Sequence, residues 1–102
     1  MTYTTVDDGS AHHQTALYSS DSSSVTVTND GNSNLRPDWL WIKVRNGSND
    51  HNIFDSVRGF SKRTWSNQAS AENTDDGTGP RPSTDGFTTG TYYGDINNNG
   101  DT

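Results

Sequence analysis

Carboxylate side chains are the groups in this sequence that could do acid–base chemistry. The chain carries 13 acidic residues, and all but Glu72 are Asp. Two carboxylates flanking a bond can serve as general acid and general base, and Asp38, Asp55 and Glu72 are the candidates for such a pair. Acidic residues are scattered through the whole chain, so pairs of carboxylates are expected from the composition alone and do not indicate catalysis. Ser56 has no nucleophile elbow around it, and we therefore predict no catalytic residue and no enzyme activity.

Two segments contain residue types that bind metals. His12 and His13 are adjacent, so in an extended chain their side chains point to opposite sides and do not chelate one ion together. The segment 95–101 has oxygen ligands at alternating positions and glycine at the sixth, like the start of a calcium loop. The bidentate Glu that such a loop needs at its twelfth position has no counterpart here. We predict a solvated turn, no metal and no cofactor.

Aromatic side chains are the more informative candidates. Rings beside Asn and Asp side chains suit sugar binding, because the C–H faces of a sugar pack on the rings while polar groups bind its hydroxyls. Tryptophans in such sequences also pack in cores and in subunit interfaces. Both interpretations stay open for the interface-facing or glycan-facing candidates, which are Trp39, Trp41, Trp65, Tyr92 and Tyr93.

The composition predicts one small domain with a thin core. Only 25% of the 102 residues are hydrophobic, and Ser, Thr, Asn, Asp and Gly together account for 60 of them. A domain of this size is marginal by its surface-to-volume ratio alone. We therefore expect the chain to borrow stability from neighbouring subunits.

Charge and hydropathy exclude several classes of partner. The net charge is −6 and the seven Lys and Arg form no basic stripe, which disfavours nucleic acid. No apolar run approaches the roughly 20 residues of a membrane span, and the first six residues do not resemble a signal peptide. Without cysteine there is no disulfide framework. The expected partners are other proteins, with no nucleic acid and no membrane insertion.

Hydrophobic alternation predicts an all-β chain. Thr15–Tyr18 and the alternating Ser24–Thr28 are candidate strands, and Trp39–Arg45 is the strongest. Asn46-Gly47 is typical of a type I′ hairpin, after which Ile53 and Phe54 form the partner strand. Residues 61–86 read as loop with Trp65 as a lone anchor, followed by one or two short closing strands that contain Phe87, Tyr92, Tyr93 and Ile96. The predicted core consists of Leu40, Ile42, Val44, Phe54, Val57 and Phe87.

The second half of the sequence resembles a domain found in virion proteins of marine tailed bacteriophages, including cyanophages. The most specific motif is Phe54–Gly59, six consecutive residues in register. The resemblance runs from about residue 35 to the end, whereas residues 1–34 match loosely and form a variable N-terminal part. The other matching segments are Pro37–Lys43, Ser66-Asn67 with Ala71-Glu72, Ser83–Gly90 and Asn97–Gly100.

The resemblance implies one antiparallel β-sandwich domain over residues 1–102, concanavalin-like or jelly-roll-like, with long polar loops. The family pattern continues past the Asn-Gly turn with an apolar strand that this sequence lacks. A neighbouring chain supplies that strand, or residues 2–6 or 15–18 take its place.

Together these observations predict a structural protein of a bacteriophage virion, a head decoration or a tail or fibre component. Its expected partners are other virion proteins and copies of itself. It would be assembled in the host cytoplasm and exposed on the extracellular particle. The alternative is a carbohydrate-binding module that contacts host surface glycans through its aromatic residues.

Overall fold

The computed structural model describes residues 5–74, 79–90 and 96–102. One short 3-10 helix, Gly9–Ala11, precedes the strands in these ranges. The strands are β1 (Thr26–Thr28), β2 (Trp39–Ile42), β3 (Asn52–Asp55), β4 (Lys62–Trp65), β5 (Asn73–Thr74), β6 (Arg81–Ser83) and β7 (Gly86–Thr88). No helix within the described ranges is long and apolar enough to cross a membrane.

The strands form two antiparallel sheets, as the alternation predicts. One sheet has three strands in the order β1-β7-β6, and the other has four in the order β2-β3-β4-β5. Among the described residues, β2 pairs only with the strand β3, and no other described strand lies along its other edge. The predicted all-β class is confirmed, and the two sheets form a small β-sandwich.

The core lies between the two sheets and draws on both of them. Val27 and Phe87 come from the three-stranded sheet, Ile42 and Phe54 from the four-stranded sheet, and Ile96 from the C-terminal segment. Of the predicted core residues, Leu40 is half-buried and packs against this cluster. Four more of the predicted core residues are buried: Ile42, Val44, Phe54 and Phe87.

The prediction that Val57 belongs to the core is wrong, because its side chain is 95% exposed. Strand β3 ends at Asp55, so alternation no longer applies two residues later. The backbone N–H of Gly59 donates to the carbonyl of Asp55 at 3.1 Å and turns the chain back. Gly59 has φ +94, a conformation that glycine adopts without strain. Val57 therefore lies at the tip of the β3–β4 turn.

The predicted type I′ hairpin at Asn46-Gly47 is also wrong. Ile42 pairs with Asn52, so residues 43–51 form a wide connection, and neither Asn46 nor Gly47 has the positive φ that a type I′ turn needs. The Asn46 side chain instead forms hydrogen bonds with the C-terminal segment. Its amide donates to the carbonyl of Gly100 at 2.8 Å, and its oxygen accepts from the N–H of Thr102 at 3.1 Å.

Two further segments differ from the prediction. Residues 15–18 alternate between exposed and half-buried but join neither sheet. The stretch 61–86, predicted as loop, contributes β4, β5 and β6. Strand β4 has no apolar alternation to detect, since its residues are Lys62, Arg63, Thr64 and Trp65, and all of them are half-buried. Pairing with β3 and β5 makes it a strand, which is a tertiary effect.

Candidate binding surface

The outer face of the four-stranded sheet carries the exposed aromatic residues. Residues directly opposite each other in an antiparallel pair share a face. Trp41 lies opposite Ile53, and Ile53 lies opposite Thr64. Trp39 lies opposite Asp55 on the same side. We call this set the outer face; it consists of Trp39, Trp41, Ile53, Asp55 and Thr64.

The two tryptophans form an exposed pair. Trp39 is 52% and Trp41 is 53% exposed. Their ring centroids are 6.0 Å apart with an interplanar angle of 75°, an edge-to-face arrangement that aromatic pairs favour. Large apolar rings left uncovered side by side are typical of a binding surface rather than of a plain solvent-facing strand.

A histidine holds the ring of Trp41 in position. The Nε1–H of Trp41 donates to Nδ1 of His51 at 2.9 Å, and the two ring centroids are 5.6 Å apart. Nδ1 therefore accepts, which places the proton of a neutral His51 ring on Nε2. Sequence reasoning missed His51, although it lies two residues before Ile53 and alternation places it on the outer face.

Side-chain amides and a carboxylate form a polar rim next to His51. The backbone N–H of His51 donates to Oδ1 of Asn67 at 3.1 Å. The Asn67 amide in turn donates to Oδ1 of Asp50 at 2.8 Å, and the Gln68 amide donates to the other oxygen of Asp50. We call Asp50, Asn67 and Gln68 the polar rim. Because Asn67 and Gln68 are exposed, their side-chain amides can also form hydrogen bonds with a hydroxyl-rich ligand.

The opposite end of the outer face is an ion-pair network centred on Arg58. Its Nη2 lies 2.6 Å from Oδ2 of Asp55 and its Nη1 lies 3.5 Å from Oε2 of Glu72. Lys62 contacts the other oxygen of Glu72 at 3.4 Å. Hydrogen bonds from the Arg58 backbone and side chain lower the pKa of Asp55, and the Asp55 carboxylate raises the pKa of Arg58.

This network accounts for two of the three carboxylates considered for acid–base chemistry. Asp55 pairs with Arg58, and Glu72 pairs with both Arg58 and Lys62. Asp38 is largely exposed and lies 4.0 Å from Arg36. Within the described ranges, no group of three or more His, Asp or Glu residues is arranged to hold a metal ion.

The other aromatic candidates do not join the tryptophan pair. Trp65 lies opposite Asn52, and Asn52 lies opposite Ile42, so Trp65 is on the inner side of the sheet. The guanidinium of Arg63 covers its ring at 4.8 Å from the centroid. Tyr92 and Tyr93 lie outside the described residues.

A groove of about 550 Å³ runs between residues 12–18 and the edge of β2 that faces away from β3. The sequence contained no local signal for it, because its two walls are more than 20 residues apart in the chain. Its apolar lining comes from both sheets, the N-terminal part and the C-terminal segment, and includes Leu17, Leu35, Leu40, Phe87 and Ile96.

Comparison with known proteins places the chain in a family. No curated protein and no solved structure matches it significantly. A family model described as a domain of unknown function, DUF7483, matches residues 8–102. The match includes both sheets, the tryptophan pair, the polar rim and the groove, and the chain therefore belongs to the DUF7483 family.

Proposed function

We propose that this protein is a structural component of a bacteriophage virion, in the head decoration or in a tail or fibre, and that it acts through protein–protein contacts. The observation that carries the proposal is the exposed Trp39–Trp41 pair on the outer face of the four-stranded sheet. The resemblance of residues 35–102 to phage virion proteins supports the assignment to a virion.

The energetics of the tryptophan pair favour an interface. Burying a large aromatic side chain removes roughly 150–250 Å² from water, so covering the exposed halves of Trp39 and Trp41 would remove roughly 200 Å² in total. At about 25 cal/mol per Å² this is about 5 kcal/mol before the costs of association. Tryptophan is enriched among the residues that dominate binding energy at protein interfaces. The ion pairs around Arg58 would then form the polar edge of the contact.

Experiments on purified phage particles test the proposal. Mass spectrometry of purified virions should detect the chain, and cryo-electron microscopy should show Trp39 and Trp41 covered by a neighbouring subunit. Trp39→Ala with Trp41→Ala should reduce incorporation at least tenfold. Val57→Ser, which changes an exposed apolar residue at the tip of the β3–β4 turn, is the matched control and should incorporate normally. Purified virions that lack the chain would overturn the proposal.

Carbohydrate binding is the second candidate function, and the polar rim favours it. Trp41 is fixed by His51, and Asp50, Asn67 and Gln68 follow directly beyond it. A ring held at a set angle next to exposed amides can pack against a sugar and bind its hydroxyls.

A glycan array separates the two candidates. If the protein binds carbohydrate, the array should give a specific signal for the wild type. The double variant Asn67→Ala, Gln68→Ala should abolish that signal. If the tryptophan pair is a subunit contact instead, the same double variant should incorporate into particles normally, and the array should give no signal.

A further inference from the structure

We propose that His51 is a pH-sensitive positioning residue for Trp41, so that acid rearranges the tryptophan pair and weakens the contact made by the outer face. The inference rests on the proposed subunit contact and adds its regulation. It starts from one hydrogen bond, in which the Nε1–H of Trp41 donates to Nδ1 of His51 at 2.9 Å. His51 is half-buried, and the Trp41 ring is 53% exposed.

This hydrogen bond requires a neutral His51 ring. An indole N–H is a donor only, whereas a neutral imidazole has one nitrogen that accepts. When an imidazole takes up a proton, both of its nitrogens become donors, and turning the ring by 180° offers no acceptor either. Two N–H groups would then face each other, so a protonated His51 cannot hold the Trp41 ring in its present position.

The same two rings have a second favourable arrangement in acid. Their centroids are 5.6 Å apart, with an angle of 52° between the ring planes. A cation within about 6 Å of an indole ring is attracted to the face of that ring. A protonated His51 therefore favours the face of Trp41 over its N–H edge. The contact changes from an N–H···N hydrogen bond to a cation–π contact, and the Trp41 ring turns.

The turn of the Trp41 ring is passed on to Trp39. The two rings pack edge-to-face with their centroids 6.0 Å apart, so one ring cannot turn without changing the contact with the other. Both are about half exposed, and the core therefore holds neither ring from all sides. Buried aromatic anchors contribute to an interface through their fit to the partner surface. A partner that fits the neutral arrangement fits the acid arrangement less well.

Two charged groups of opposite sign lie next to His51. Asp50 precedes it in the chain, and side-chain amides of the segment 66–68 already bind the Asp50 carboxylate. Lys43 follows β2 directly across from His51, because Ile42 pairs with Asn52, and its ammonium group donates to two backbone carbonyls. The segment 66–68 itself contains no titratable residue. The accepted hydrogen bond is therefore the contact that protonation of His51 changes most directly.

The other two histidines provide a control for the tryptophan response. Histidine is the side chain whose ordinary titration falls between about pH 5 and pH 8, and the chain contains three. His12 and His13 are exposed in the N-terminal part of the chain. The described hydrogen bonds and ring contacts join only His51 to a tryptophan.

NMR of the full chain with ¹⁵N-labelled indole groups tests the switch. The Nε1–H signal of Trp41 is followed from pH 8 to pH 5 together with the Cε1–H signal of His51, and Trp65 on the inner side of the sheet is the internal reference. His51→Asn is the informative variant, because its amide oxygen is as many bonds from the backbone as Nδ1 and accepts a hydrogen bond throughout this range. His12→Asn with His13→Asn is the matched control.

We expect the Trp41 signal of the wild type to move at least three times as far as the Trp65 signal, with the midpoint of the His51 titration. In His51→Asn it should move no further than the Trp65 signal. The control variant should respond like the wild type. In purified virions, release of the wild-type chain should be about threefold to tenfold greater at pH 5 than at pH 8, the effect of losing one ordinary hydrogen bond. Release of His51→Asn should be equal at both pH values.

Three results would overturn the inference. The first is a wild-type Trp41 signal that moves no further than the Trp65 signal while His51 titrates. The second is a response of His51→Asn equal to that of the wild type. The third is wild-type release from virions that does not change between pH 8 and pH 5. If His51→Asn fails to fold, the comparison of Trp41 with Trp65 in the wild type still decides.

Failure of this inference and failure of the proposed function give different results. A chain that is found in virions but whose Trp41 signal does not follow His51 refutes the pH switch alone. A chain whose Trp41 signal follows His51 but that is absent from virions refutes the proposed virion role.

Discussion

The two faces of strand β2 differ in how their apolar side chains are used. On the inner face, Leu40 and Ile42 pack against Phe54, Phe87 and the other core residues. On the outer face, the larger rings of Trp39 and Trp41 are about half exposed. Neighbouring positions of one short strand thus belong to the core and to the surface.

This difference shows where the chain uses its scarce apolar residues. Only 25% of the residues are hydrophobic, yet two of the largest lie outside the core. A chain under pressure for stability alone would gain more from burying them. Instead, Trp41 is held by a hydrogen bond to His51. The inner face therefore stabilises the fold, whereas the outer face leaves two large rings accessible to solvent.

Phe54→Ala tests the inner face and should have the largest effect on stability. The side chain is fully buried in the core, so truncation should lower the free energy of unfolding by about 3–5 kcal/mol. Urea denaturation followed by circular dichroism measures this loss. Trp41→Ala, on the outer face, should cost less, about 1–3 kcal/mol, because about half of that side chain is already exposed. Equal losses for the two variants would mean that both faces contribute to the core.

Gly86→Ala should come next, because Gly86 lies where β1 crosses close to β7. An added Cβ would lie 2.0 Å from the carbonyl oxygen of Val27, at a φ of +129. Strain and overpacking together should cost about 2–4 kcal/mol. Gly59→Ala is the matched control, since φ is +94 there but nothing lies within 4 Å. Its cost should be only about 1–2 kcal/mol, measured by the same denaturation.

Tyr18→Phe should have a smaller effect that depends on pH. The Tyr18 hydroxyl donates to the carbonyl of Ile96 at 2.7 Å and its ring packs edge-on against Phe87. Losing this hydrogen bond should cost about 1–2 kcal/mol at pH 7.

The pH dependence of this contribution has a definite sign. Burial, aided by the Asp101 charge, raises the pKa of Tyr18 to about 12 from 10.0. The contribution is therefore fully present below pH 10 and is lost as the pH rises from 10 to 12. Denaturation midpoints between pH 8 and pH 12 should fall more steeply for the wild type than for Tyr18→Phe. Parallel curves would contradict this interpretation.

Asp55→Asn tests the ion-pair end of the outer face and should have the smallest effect. The pKa of Asp55 is lowered below 3.8 mainly by its hydrogen bonds with Arg58. Its contribution is thus present above the ordinary pKa and is lost as the pH falls through the lowered value. Asp55→Asn should slightly reduce the melting temperature at pH 7 and flatten its decline below pH 4. Arg58→Lys, which keeps the charge, should retain most of that decline.

The part of the fold that could be predicted from sequence is the part governed by local alternation. In Trp39–Val44 the side-chain period of two identified Ile42 and Val44 as buried and both tryptophans as outward-facing. The pleat of a β-strand alone sends alternate side chains to opposite faces, whichever strand it pairs with. The same rule failed at Val57 because the strand had already ended, and strand ends depend on the turn that follows.

The remaining features were decided by contacts between distant segments. Asn46-Gly47 favours a tight hairpin locally, but the Asn46 side chain binds residues 100 and 102 instead. Strand β4 carries charged residues and exists because β3 and β5 pair with it. The polar rim and the groove join residues that are far apart in sequence. Local sequence determines which way a side chain points along a strand, whereas tertiary packing determines which strands pair and where they end.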